Sequence, residues 1–172
     1  MQDLNNKSEQ EQIAAVKQDI SAICFIKNPS EAVQLAAVKE YGLSIINIKN
    51  PSEAVQLEAV KQFGIAIQYL KNPSEAVQLE AVKQFGYAVS CIIEPLEAVQ
   101  LAAVKRYYPA IHHIKNPSEE VQLAAVRQSR LAIIYIDNPT EAVKALAAKE
   151  SVTKPHSISV FSNIWAFIRS VF

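Results

Sequence analysis

Glycine is almost missing from this chain, with three in 172 residues, and that scarcity excludes a glycine-rich phosphate loop and a nucleophile elbow. Cysteine is scarcer still. Cys24 and Cys91 lie about three repeats apart, too far for a disulfide between stacked helices, and neither has a second cysteine at metal or redox spacing. An excess of charge of either sign is also absent: Lys plus Arg and Asp plus Glu number 17 each. No global field therefore draws the molecule toward nucleic acid or an anionic bilayer. The stretch from Met1 to Gln12 is polar and acidic, without the apolar core of a signal peptide. With two unpaired thiols, the expectation is a reducing, cytoplasmic setting.

Apolar residues make up 50% of the chain against 20% charged, which suits one globular domain with a real core. A 22-residue unit recurs in strict register, punctuated by Pro29, Pro51, Pro73, Pro95, Pro117 and Pro139. The segment Asn28-Pro29-Ser30-Glu31 reads as a helix start, with Asn as N-cap, Pro at the first helical position and Glu at the third. Thirteen residues after Pro29, Pro51 and Pro73 come Gly42, Gly64 and Gly86, each read as a left-handed helix end. In the fifth unit Tyr108-Pro109 marks the same boundary, since Pro starts helices and breaks their interiors. The expected fold is all-α: a solenoid of about seven two-helix repeats over 6–150, with units starting near 6, 28, 50, 72, 94, 116 and 138. A short arm, 1–5, precedes it and a linker with a C-terminal amphipathic helix, 151–172, follows.

The unit resembles a repeat family of unknown function found in bacterial and viral proteins, through Glu53, Val55, Ala59, Val60 and Gly64 and their equivalents over about 6–150. That resemblance implies architecture and no activity.

Three rows run through the copies. Glu9, Glu31, Glu53, Glu75, Glu97, Glu119 and Glu141 fall at helix starts, and Lys17, Lys39, Lys61, Lys83, Lys105, Arg127 and Lys149 at helix ends. Each sign complements the helix dipole, although the cations could also form a phosphate track. Gln12, Gln34, Gln56, Gln78, Gln100 and Gln122 read as solvated or as bridging between layers.

On the short second helix one side keeps small or aliphatic residues, such as Ala66, Ile67 and Leu70, and reads as core. The other side changes at every step: Leu43, Ile46, Asn47; Ile65, Gln68, Tyr69; Tyr87, Ser90, Cys91; Pro109, His112, His113; Leu131, Ile134, Tyr135. A continuous face of this kind is how solenoids recognise ligands. The candidate partner-binding residues are Tyr69, Tyr87, Cys91, Tyr108, His112, His113, Ile134 and Tyr135. Packing against the first helices or the tail is the alternative. The fourth and fifth units depart furthest, with Ile93-Glu94-Pro95-Leu96 in place of Lys-Asn-Pro-Ser.

No enzyme is expected. His112 and His113 lack the i, i+4 spacing of helical metal ligands, Cys91 beside them reads as a small apolar residue, and no acid and base pair interrupts an apolar setting. Neither cofactor nor metal is implied. In the tail, Phe161, Ile164, Trp165, Ile168 and Phe172 share one helical stripe. At 16 residues, Ser157 to Phe172 is too short to span a bilayer. A cap over the last repeat is favoured, with self-association as its rival, and binding at a membrane surface is unlikely. The leading functional expectation is a cytoplasmic adaptor or inhibitor, with a bacterial defence complex as one target, that binds a protein partner through the variable face. A homo-oligomeric structural protein, such as a homodimer joined through the tail, is the alternative, and a nucleic-acid binder using the cationic row stands third.

Overall fold

In the computed structural model, which describes residues 3–149, the repeat unit becomes one layer. Each complete layer is an α-helix followed by a shorter 3₁₀ helix. The α-helices are α1 (Glu9–Gln18), α2 (Glu31–Glu40), α3 (Glu53–Gln62), α4 (Glu75–Gln84), α5 (Glu97–Arg106), α6 (Glu119–Gln128) and α7 (Glu141–Ala148). The 3₁₀ helices of layers one to six are Ile20–Phe25, Gly42–Asn47, Gly64–Tyr69, Gly86–Cys91, Tyr108–His113 and Arg130–Tyr135. Successive α-helices pack on one another, as do successive 3₁₀ helices. The described residues form an all-α repeat solenoid.

A ten-residue helix is shorter than the ~12–15 residues that isolated helices need to be even marginal in water, so each layer depends on its neighbours. Val55, Ala59 and Val60 of α3 are fully buried, and the same positions are buried along the array. The 3₁₀ helices contribute the side expected to be core: Ala66 and Ile67, Ala88 and Val89, Ala110 and Ile111 are buried, and Leu70 and Ile92 are half-buried. These residues join into one continuous cluster.

The second helix was expected to be α-helical, and the length of the return path explains the difference. Six residues at ~2.0 Å per residue in a 3₁₀ helix cover about 12 Å, against about 9 Å as α-helix. The looser rise retraces more of the ~15 Å length of the ten-residue partner.

The helix start also differs from expectation. Ser30, Ser52, Ser74 and Ser118, and Thr140 in α7, are the N-caps, accepting from the backbone N–H three residues on, and Glu opens each helix. Asn-Pro lies before the cap. Asn50, Asn72 and Asn116 take left-handed φ of 48–49° there, a conformation Asn tolerates better than most residues.

The glycines are not left-handed; none has positive φ. Their role is steric. A Cβ on Gly42 would lie 2.8 Å from the Ala59 carbonyl oxygen of the next layer, one on Gly86 2.9 Å from that of Ala103, and one on Gly64 would collide with the Ala81 carbonyl. Layers two to five close on one another through these bare backbones.

The glutamine row is neither solvated nor, for most members, a bridge. The side-chain amides of Gln34, Gln56, Gln78, Gln100 and Gln122 donate to the carbonyls of Pro29, Pro51, Pro73, Pro95 and Pro117 within their own layers, at 2.8–3.0 Å. Other residues make the bridges. Gln62 accepts from the Gly42 N–H at 2.8 Å and donates to the Lys39 carbonyl at 2.8 Å. Gln84 repeats this with Gly64 and Gln62, and Arg106 donates to the Lys83 carbonyl. At the opposite edge Ser30, Ser52, Ser74 and Ser118 donate their hydroxyls to Glu9, Glu31, Glu53 and Glu97 of the preceding layer.

The 3₁₀ turn Leu4–Asn6 lies against the first layer, where Asn5 donates to the Phe25 carbonyl and accepts from the Lys27 N–H. The expectations for Phe161, Ile164, Trp165, Ile168 and Phe172 lie outside the described residues. Among the described residues no helix is long and apolar enough to cross a membrane.

Candidate aromatic interaction face

Each 3₁₀ helix holds one side in the core and leaves the other turned to solvent, so position within the unit sets exposure. Tyr69, Tyr87, His112, His113 and Ile134 are exposed, whereas Cys91, Tyr108 and Tyr135 are half-buried and pack on the core cluster. The changing side thus lies at the surface, with its inner members anchored.

Ring contacts connect most of these residues across layers four to six. Phe85 meets Tyr87 at 5.9 Å between centroids, Tyr87 meets His113 edge-on at 4.7 Å, and His113 meets His112 at 5.2 Å. The chain continues through Tyr135 at 6.4 Å, Tyr108 at 6.3 Å and Tyr107 at 6.4 Å. Seven rings make one connected surface. Tyr69 shares the row but stands apart from this chain.

Burial beside Tyr87, and secondarily the neighbouring His112, hold the His113 pKa below the ordinary 6.5, so its neutral form is favoured. A neutral imidazole suits an apolar surface better than a cation does. Cys91 Sγ lies 3.8 Å from Ser90 Oγ. Among the described residues no group of three His, Cys, Asp or Glu side chains is placed to hold a metal ion.

A second aromatic row escaped the reading of the sequence. Tyr41, Phe63, Phe85 and Tyr107 occupy the junction between the two helices in four successive layers, each 38–47% exposed. Tyr41 and Phe63 touch edge-to-face across the layers at 5.4 Å. The signal was legible, because Tyr or Phe precedes every Gly of the array, but the Gly alone was taken as the feature of that boundary. These side chains cover the glycines: a Cβ on Gly64 or Gly86 would meet the Cβ of Phe85 or Tyr107. Phe85 and Tyr107 join this stripe to the seven-ring chain.

The turn from layer four to layer five breaks three rules at once. Glu94 takes φ 51° where other layers have Asn, and Leu96 stands at an N-cap with no side-chain hydrogen bond to give. Glu75 consequently lacks the serine hydroxyl that Glu9, Glu31, Glu53 and Glu97 receive. Ile93 is 93% exposed and Leu96 55%. Comparison of the chain with protein families, with curated proteins and with solved structures finds no match.

Proposed function

We propose that this protein is a non-enzymatic interaction module, acting in the cytoplasm, that holds another protein along its aromatic face and works as an adaptor or an inhibitor. The observation that carries this reading is the connected chain of seven rings from Phe85 to Tyr107. Exposed aromatic groups anchored by partly buried neighbours are the chemistry of binding hot spots. A stack of layers gives such a face length without any moving part, so covering a partner's working surface needs no further machinery.

The test is a photo-crosslinking amino acid at position 87, with a matched one at Glu120 on an α-helix, expressed in the native host and read by mass spectrometry. A single protein captured from position 87, and lost when His113 and Ile134 are changed to Ser, supports the reading. Equal capture from both positions refutes it. The sequence pattern of Phe161, Ile164, Trp165, Ile168 and Phe172 favours a second reading, a homo-oligomer joined through the tail. Sedimentation of the full chain over a wide concentration range distinguishes that assembly from a monomer.

A further inference from the structure

We infer that the partner meets the stripe of Tyr41, Phe63, Phe85 and Tyr107 with an extended acidic segment, its carboxylates set against the cations beside the rings and its apolar side chains set on the rings. This rests on the reading of the aromatic face as a protein-binding surface.

Lys17, Lys39, Lys61, Lys83, Lys105 and Arg127 each stand in the last turn of an α-helix, two residues before the stripe position, and all are exposed. Among the described residues the ion pairs are Lys7 with Glu11 and Lys144 with Glu141, so none of these six has a carboxylate partner. Arg106 and Arg130 add to the same edge. Carboxylates there are Asp19 and Glu40, in the first two layers. From layer three onward the last turns carry only cations among their charged residues, with Glu58 and Glu80 standing three residues before Lys61 and Lys83.

The helix dipole explains why a cation is favoured at this position. It does not explain the rings, and the open carbonyls are otherwise engaged: those of Lys39, Gln62 and Lys83 are taken by Gln62, Gln84 and Arg106. The opposite edge is different. Its Glu9, Glu31, Glu53 and Glu97 are tied to serines of the next layer, and Lys27, Lys49, Lys71 and Lys115 stand in the turns among them. The two edges lie about 15 Å apart along a ten-residue helix. A chain with no net charge thus has, among the described residues, one face with a cation outside any ion pair in each of layers one to six.

Spacing favours an extended polypeptide. Packed helices stack at ~8–10 Å, and an extended polyproline-type chain returns to the same face every three residues, about 9 Å. Acidic residues at every third position would keep register with Lys61, Lys83 and Lys105. A single nucleic-acid strand fits less well, because stacked bases need parallel open ring faces. Tyr41 and Phe63 stand 71° apart instead, and more than half of each ring-bearing residue in the stripe is covered.

The probe is a fluorescent random copolymer of Glu and Tyr, titrated with the full chain at low and at high salt, beside a fluorescent oligothymidylate. The copolymer should bind, and weaken at least tenfold as salt screens the pairs. Lys61→Glu, Lys83→Glu and Lys105→Glu together should weaken it at least tenfold further, as should Phe63→Ser with Phe85→Ser. The same lysines changed to Gln give a milder loss and guard against a folding defect, which melting curves monitor, and Glu120→Lys should change nothing. No copolymer binding, binding indifferent to the lysine changes, or tighter binding of oligothymidylate would overturn the proposal, the last assigning the edge to single-stranded nucleic acid. If the partner crosslinked from position 87 is still captured by the triple Glu variant, the aromatic-face reading stands and the acidic chemistry alone fails.

Discussion

Restoring the ordinary turn between layers four and five, by Ile93→Lys, Glu94→Asn and Leu96→Ser, should make the protein more stable by about 2 kcal/mol. Glu94 holds φ 51°, where an L-residue other than Gly or Asn costs ~1–2 kcal/mol, so Asn recovers about 1 kcal/mol. Leu96 is the one N-cap of α2 to α7 with no side-chain hydrogen bond, and a serine cap contributes about 1 kcal/mol. That serine also gains the Glu75 carboxylate, for a few tenths of a kcal/mol at an exposed site, which offsets the modest apolar contact that a 55% exposed Leu96 gives up. Position 93 is fully in solvent and contributes almost nothing. At ~2–4 °C per kcal/mol for a chain of this size, the triple variant should melt about 6 °C higher in a circular-dichroism scan. Leu96→Ser alone should supply roughly half of that. An unchanged or lower melting temperature would refute the assignment of cap and strain. If stability rises while partner capture falls, the turn was kept for binding at the expense of stability.

Three further outcomes follow from the layer contacts. Gly64→Ala should cost about 2 kcal/mol or more by urea unfolding, because the added methyl strikes the Ala81 carbonyl and Phe85, and Gly64→Asn should be no milder, as ordinary φ offers Asn no advantage. Gln84→Ala should cost ~1–3 kcal/mol by leaving the Gly64 N–H without its acceptor, whereas Gln128→Ala, at an exposed side chain, should stay within ~0.5 kcal/mol. In an NMR titration His113 should lose its proton at a pH below 6.5, and His112→Ala should raise that midpoint only part of the way, since burial is the larger cause. Because the folded pKa is depressed, the stability linked to neutral His113 is present above the unfolded pKa and is lost as pH falls through the folded value.

The solenoid was legible because its signals recur: Pro, Ser, Glu, Val and Ala return every 22 residues, and repetition turns weak helix grammar into a firm reading of layers. The burial of Ala66, Ile67, Ala88 and Val89 was legible for the same reason. What escaped was geometry that depends on the neighbouring layer. A glycine before a short helix looks the same whether it needs positive φ or merely room, and the difference lies in the Ala59, Ala81 and Ala103 carbonyls of the next unit. Likewise nothing within their own unit marks Gln62 and Gln84 as bridges, because the carbonyl and the N–H that they bind belong to the preceding layer. The exposed stripe from Tyr41 to Tyr107 was present in the sequence as Phe-Gly and Tyr-Gly pairs, yet its continuity is a property of stacking.

Most polar bridges between layers point one way, with Ser74 and Gln84, for example, reaching from layer four back to layer three, while Gln122 reaches forward to accept from the Thr140 N–H. Each unit therefore carries the fasteners for the unit before it and the sockets for the unit after it. The stretches Glu53 to Gly64 and Glu75 to Gly86 are identical, so unequal recombination between their coding sequences would add or delete a whole layer with both new junctions correctly fastened. The array can change length in one genetic step, by one layer and one cation at a time, and the junction at Leu96 is where such an exchange would leave a fastener missing. An array built this way varies in length by whole units while each layer keeps its fold.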